Sequence, residues 1–341
     1  MKNLLFKLIQ TPSLVGSEDA VLESFRNAMS PHADNTWTDR VGNVISVKNA
    51  GKKYKVLLVA HADEVGLLVT NITEKGFLLC KSMGMGAAAM LVGQRVSILG
   101  KNEAIPGIIQ SKIKKDKNEK PVKFADLFID IGAKDKKEAE KWVSPGDYVY
   151  VTSRPIDFGN GLVVGKGMDD KAGMTVIAHV MKELAHKDVD KICLYCAAAV
   201  GEEINSHGAR AMAAALQPDL AIAVDVTETM DKPGSDPIDG CVELKKGPVL
   251  ARVPILCRRI EERLRATAQQ YRIPCQTEVY PYLSYTDADY IHTAAQGILS
   301  HIVSIPLRYM HSPQEIIAVQ DLEHTRDLLK AFLKELNNAP I

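Results

Sequence analysis

Four stretches of the chain leave no room for a polar face: YKVLLVA (54–60), KICLYCAAAV (191–200), PDLAIAVDV (218–226) and SHIVSIP (300–306). A strand with water on one side alternates apolar and polar residues. A strand that is apolar throughout must be covered on both faces, as in a parallel sheet flanked by helices. The segments near these runs have the helical period. DKAGMTVIAHVMKELA, after Gly167, places Met174, Ile177, Met181 and Leu184 on one side. RRIEERLRATAQQY (258–271) is a second candidate. DLEHTRDLLKAFLKEL near the C-terminus repeats Leu322, Thr325, Leu328, Leu329, Phe332, Leu333 and Leu336. The expected fold is α/β, with a three-layer α/β/α core.

Residues 68–163 break that rhythm. GQRVSILGK, IPGIIQSK, DLFIDIG and GDYVYVTSR alternate at period two between Gly, Pro and charged turns, with one helical stretch at DKKEAEKW. The pattern predicts a β-rich domain over 68–163, inserted into an α/β domain made of 1–67 and 164–341. SMGMGAAAM loosely matches a dinucleotide fingerprint at Gly84, Gly86 and Ala89. That fingerprint needs a helix immediately after it. LVGQRVSILG follows instead and reads as a strand, so the segment is expected to be a glycine-rich turn.

Composition narrows the function classes. Lys plus Arg and Asp plus Glu balance at 42 each. No basic excess exists to neutralise phosphates, which argues against nucleic acid or an anionic membrane as partner. MKNLLFKLIQ is too short and too charged for a signal core or a membrane span, so the expected location is the cytoplasm. Six cysteines in 341 residues do not make a disulfide framework. Cys193 and Cys196 form a CxxC, but inside a strand-like run. Side chains three apart on a strand point to opposite faces, so core packing is expected of them.

Chemistry gathers at the strand ends. VLLVA is followed at once by His61, Asp63 and Glu64. CAAAV stops at Gly201-Glu202-Glu203. Asp225 is the first polar group of AIAVDVT, and His311 comes just past VSIPLRYM. Asp169 and Asp170 stand at the expected start of a helix. In an open α/β sheet the C-terminal strand ends form the ligand crevice. Acids packed together repel one another unless cations separate them. Mixed imidazole and carboxylate donors suit zinc, cobalt or manganese. His61 and Asp63 share a face of extended chain, so Asp63 can orient a ligating His61.

In order and spacing, VAHADEVGLLV, GKGMDDKAG, GEEINSHGA, AIAVDVTETMDKPG and SIPLRYMHSP resemble the signature blocks of the M42 metallo-aminopeptidases. That family includes glutamyl and deblocking aminopeptidases, and members labelled endoglucanase. The likeness covers nearly the whole chain, including LVGQRVSILG, DLFIDIGAKDKKEAE and PGDYV of the insert. It implies two divalent metal ions per subunit on the α/β core and a PDZ-like inserted domain. Carried over by position, His61, Asp169, Glu203, Asp225 and His311 match the metal ligands, with Asp169 bridging. Glu202 matches the general base of a metal-activated water, and Asp63 the acid behind His61. A cis peptide between Asp169 and Asp170 is also implied. So are short peptide substrates cut at the N-terminus and a homo-oligomer, the tetrahedral dodecamer.

The chain departs from the family in three places. Gly201 precedes Glu202 where Gln is common, INSHGA follows Glu203, and Leu283-Ser284-Tyr285 stand where glycines are typical. These fall near the expected substrate pocket and leave side-chain preference open. His207 is expected to be an exposed loop residue. Other readings remain. A different two-metal amidohydrolase or dipeptidase of the same clan is one. An endoglucanase could use Glu202 and Asp225, but it has no need of the two histidines. A non-catalytic metal-binding protein has no need of Glu202.

Overall fold

The structure, a computed structural model, describes residues 1–112, 121–236, 238 and 240–341. The four apolar runs form the strands Tyr54–His61, Ile192–Ala199, Leu220–Glu228 and Leu299–Arg308. They are neighbours at the centre of one eleven-stranded sheet and run parallel. Their order in space is 192–199, 54–61, 220–228, 299–308. The chain moves to one side of the 54–61 strand and then returns to the other. The crevice of such a sheet opens at that reversal, between the ends of 54–61 and 220–228. Antiparallel strands extend both edges.

Helices cover both faces. On one, Val56, Leu58 and Ala60 pack with the helices Lys2–Gln10, Asp19–Met29, Met168–Glu183, Arg258–Gln270 and Val319–Asn338. On the other, Leu57 and Val59 meet Ala209 and Met212 of helix His207–Leu216 and Ala288 and Ile291 of helix Asp287–His292. The expected repeat from Leu322 to Leu336 is buried throughout. Burying each of its large side chains contributes about 1.5–3 kcal/mol. Cys196 lies in the first of these cores, while Cys193 is buried one strand position out of phase. The two thiols do not converge.

The strands Gly66–Ile72, Leu78–Met83, Arg95–Leu99, Ala104–Ser111, Leu127–Asp130 and Tyr148–Val151 close into a separate barrel. Its inward residues, among them Val69, Ile98, Ile109 and Val149, make their own core. The one α-helix among its described residues is Lys136–Trp142, where DKKEAEKW predicts it, and Asp135 caps it by accepting from the Glu138 amide at 2.9 Å. SMGMGAAAM ends in a single 3₁₀ turn before the Arg95–Leu99 strand, so it is a glycine-rich turn. Residues 113–120 of the 68–163 segment lie outside the described residues. No helix among those described is long and apolar enough to cross a membrane.

Candidate metal centre

Parallel pairing sets Ala199 opposite His61, so the 61–64 and 200–203 segments leave the sheet side by side. The first amides of a helix have no partner within it. Those of Glu202 and Glu203 donate to the two Asp63 carboxylate oxygens, each at 3.0 Å. Gly201 makes the turn with φ 70°, and a Cβ there would meet the His207 ring at 1.9 Å. The departure at Gly201 thus has a local cause: the imidazole of His207 fills the space. His207 is exposed, and its Nδ1 lies 2.7 Å from Asn205 Oδ1.

Two imidazoles from different strand ends meet over one carboxylate. His61 Nε2 lies 2.8 Å from Asp169 Oδ1, and His311 Nε2 lies 3.2 Å from Asp169 Oδ2. Asp225 Oδ1 is 3.9 Å from His61 Nε2 on one side. Glu203 Oε1 is 3.3 Å from His311 Nε2 on the other. The other His61 nitrogen, Nδ1, is 3.1 Å from the Asp63 carbonyl oxygen and 3.6 Å from its carboxylate. Asp63 therefore faces His61 mainly through its backbone. Its carboxylate holds the Glu202–Glu203 turn.

Two further acids fix this arrangement. The Asp169–Asp170 peptide is cis. Asp170 accepts from the His61 amide at 3.2 Å and from the Gly173 amide at 2.8 Å, tying the helix start to the strand end. Glu315 accepts from the amides of Met168 at 2.7 Å, Asp169 at 3.4 Å and His311 at 2.9 Å. It thereby holds the Asp169 carboxylate and the His311 imidazole in one frame. Motif reading passed over Glu315. Its signal was a lone acid opening the otherwise apolar strand Glu315–Ala318.

The walls of a cavity of about 830 Å³ include His61, Asp169, Glu202, Glu203, Asp225 and His311; Asp63 lies behind it. Burial comes first among the forces on these groups. With repulsion from Asp225, Asp287 and Glu203, it pushes Glu202 up to about 10, against the pull of His61. Burial and Asp169 push Asp225 up to about 8. Burial also raises Glu203. Against burial, bonds to both imidazoles hold Asp169 below the usual carboxylate range. Against burial, Asp169 and Glu203 push His311 up to about 11.

The donors fit divalent cations. Atoms of His61, Asp169 and Glu203 lie within 4.8 Å of one another, as do atoms of His61, Asp170 and Asp225. Glu203 Oε1 is buried, and its 3.3 Å contact with His311 Nε2 falls short of a well-formed hydrogen bond. No Lys or Arg among them lines the cavity. The crowded acids outnumber the two imidazoles, and divalent cations relieve the repulsion that remains.

Residues 42–328 match the family model for M42 glutamyl aminopeptidase. A lysyl aminopeptidase of Pyrococcus furiosus is 28% identical, over 98% of this chain and 96% of that protein. An aminopeptidase structure from the archaeon Desulfurococcus kamchatkensis superposes with a TM-score of 0.91 at 31% identity, covering 98% of this chain and 94% of that one. The Pyrococcus horikoshii TET1 peptidase, which can assemble into a tetrahedron or a large octahedral shell, gives 0.86 at 27% identity, over 97% and 98% of the two chains. The folding of these strand ends around Asp169, together with a match over most of its length, makes this chain a member of the M42 family of metallo-aminopeptidases.

Proposed function

We propose that the chain removes N-terminal residues from short peptides at a dinuclear metal site, with Glu202 as general base. One observation carries this reading: His61 and His311 approach opposite oxygens of the same Asp169 carboxylate. His61 and Asp225 would hold one ion, His311 and Glu203 the other, and Asp169 both. Bound zinc, cobalt or manganese would supply Lewis acidity and bring the pKa of a coordinated water towards neutrality. With ions bound to offset the neighbouring acids, Glu202, half-buried on the cavity wall, would be free to take a proton from the attacking water and return it to the departing amine. Asp63 holds the Glu202 amide and so sets where that carboxylate reaches. A neighbouring acid receives the free α-ammonium of the substrate, which limits cleavage to N-termini.

On this reading, residues 1–67 and 164–341 form the catalytic domain, and 68–163 form the PDZ-like insert. The subunits assemble as a homo-oligomer in the cytoplasm. The tetrahedral dodecamer is the favoured form, by analogy with the shell-forming Pyrococcus horikoshii peptidase.

The test combines metal analysis of the purified protein with aminoacyl chromogenic substrates, before and after chelation. Glu202→Gln is expected to retain its ions and lose kcat by about 10²–10⁴. A near-normal rate in that variant would remove Glu202 from the role. Blocked peptides cleaved as fast as free ones would favour an amidohydrolase of the same clan. Chelator-insensitive cellodextrin cleavage would favour a glycosidase.

A further inference from the structure

The cavity has a second acidic wall, away from the metal-binding groups. Glu278 lies on the short strand Gln276–Val279, which pairs with Val249–Arg252 beside the main sheet. Its Oε2 accepts from the Thr227 hydroxyl at 2.7 Å. The Tyr280 hydroxyl lies 3.1 Å from the same Thr227 oxygen. Thr227 is two positions past Asp225 on one strand, so the two share a face about 7 Å apart. Glu278 and Asp225 both line the cavity.

Glu228 is the other acid on this wall, but its charge is already engaged. It accepts from the amides of Tyr309 at 3.0 Å and Met310 at 2.8 Å and pairs with Lys232. No ion pair joins Glu278 to any described residue, and no described Lys or Arg lines the cavity. Burial raises the Glu278 carboxyl above the usual carboxylate range. A cation brought close to it relieves that penalty. Met230 and Met310 supply apolar wall for the stem of a long cationic side chain.

We propose that Glu278 is the specificity-determining residue of this cavity, and that the preferred N-terminal residue is lysine or arginine. A glutamyl side chain would face Glu278, which no described cation pairs. This inference rests on the aminopeptidase reading, and the substrate panel separates the two. The bland alternative is that Glu278 only fastens the edge strand to Thr227.

The experiment compares kcat/KM of the metal-loaded enzyme for the p-nitroanilides of Lys, Arg, Leu and Glu. Lys and Arg are expected to exceed Leu by about tenfold or more, with Glu the poorest. A hydrogen bond to a charged group sets the scale for Glu278→Gln, a fall in the Lys-to-Leu ratio of about 10- to 100-fold. Thr227→Val keeps the carboxylate and loosens it, so the ratio falls less. Glu278→Lys is expected to favour the Glu substrate. Wild-type preference for Leu or Glu over Lys overturns the proposal while leaving the aminopeptidase reading intact. So does a Glu278→Gln variant that lowers all four rates alike. If none of the four is cleaved, both fall together.

Discussion

Two buried charge clusters grow from the same strand end and resolve their electrostatics in opposite ways. Glu64, three residues past His61, meets Lys166 Nζ at 2.6 and 2.7 Å and Lys171 Nζ at 3.2 Å. It also accepts from the Ser13 amide at 3.1 Å. Against burial, the two ammonium groups hold its carboxyl at about 2. Gly167 at φ 57° leaves space for the joint, since a Cβ there would lie 2.2 Å from Glu64 Oε2. On the other side, Glu202, Glu203, Asp225 and Asp169 have two imidazoles and no lysine. Burial pushes Glu202 and Asp225 up instead. An acid that meets lysine inside the fold is a closed joint. Acids gathered without one demand a cation from solution. The difference separates structure from chemistry within a few residues of chain.

The comparison breaks most visibly at Glu64. Glu64→Gln leaves two buried ammonium groups facing an amide. Breaking such a pair costs about 3–5 kcal/mol. Urea unfolding of the metal-loaded protein should show that loss with the metal content per folded chain unchanged. A loss under about 1 kcal/mol would mean that the joint is not the closed cluster described.

The metal-side cluster should instead respond to pH, and only when stripped of ions. Burial, ahead of neighbouring acids, raises Asp225 and Glu315 to about 8 and Asp287 to about 7. A group whose folded pKa is raised contributes stability that is full below its unfolded value. That stability is lost as pH climbs through the folded value. His61 and His311, also raised, act with the same sign at higher pH. Glu64, lowered to about 2, acts only in acid, outside this window. Chelated protein should therefore lose stability between about pH 5 and 8, by about 1.4 kcal/mol per pH unit for each such group. Excess zinc or cobalt should flatten the slope. A chelated protein whose unfolding midpoint rises over that range would contradict the charge balance described.

Much of this was legible in the sequence because strand periodicity and strand ends are local signals. The four apolar runs announce a parallel sheet, and the acids and imidazoles at or just past their ends mark its rim. The antiparallel strands Asn35–Thr38 and Val44–Lys48 on one side of the sheet were not foreseen, since NTWT and VISVK carry no pattern long enough to count. The Glu64–Lys166–Lys171 joint was hidden for another reason. Its members are about a hundred positions apart, and only the fold brings them together. Asp63 illustrates a half-read residue. Its spacing from His61 was visible, but its grip on the amides of Glu202 and Glu203 depends on which strand lies alongside.

Glu315 gives the smallest expected effect and the sharpest discrimination, because it stands at the back of the metal-side cluster and supports it through backbone. Among the described residues it pairs with no lysine, and its oxygens accept backbone amides alone: Met168 and Asp169 on one, His311 on the other. Glu315→Gln keeps the volume and one acceptor oxygen but turns an amide NH₂ towards a backbone N–H. One side of the frame then loosens, either under Asp169 or under His311. Partners of this kind typically change metal affinity by about 10–100-fold. Metal titration of the variant should show a loss in that range, with kcat at saturating metal recovering to near the parent value. If kcat stays low when the ions are saturated, Glu315 acts on the reaction and not on the frame. If affinity does not change, the hold on Asp169 and His311 comes from the strands alone.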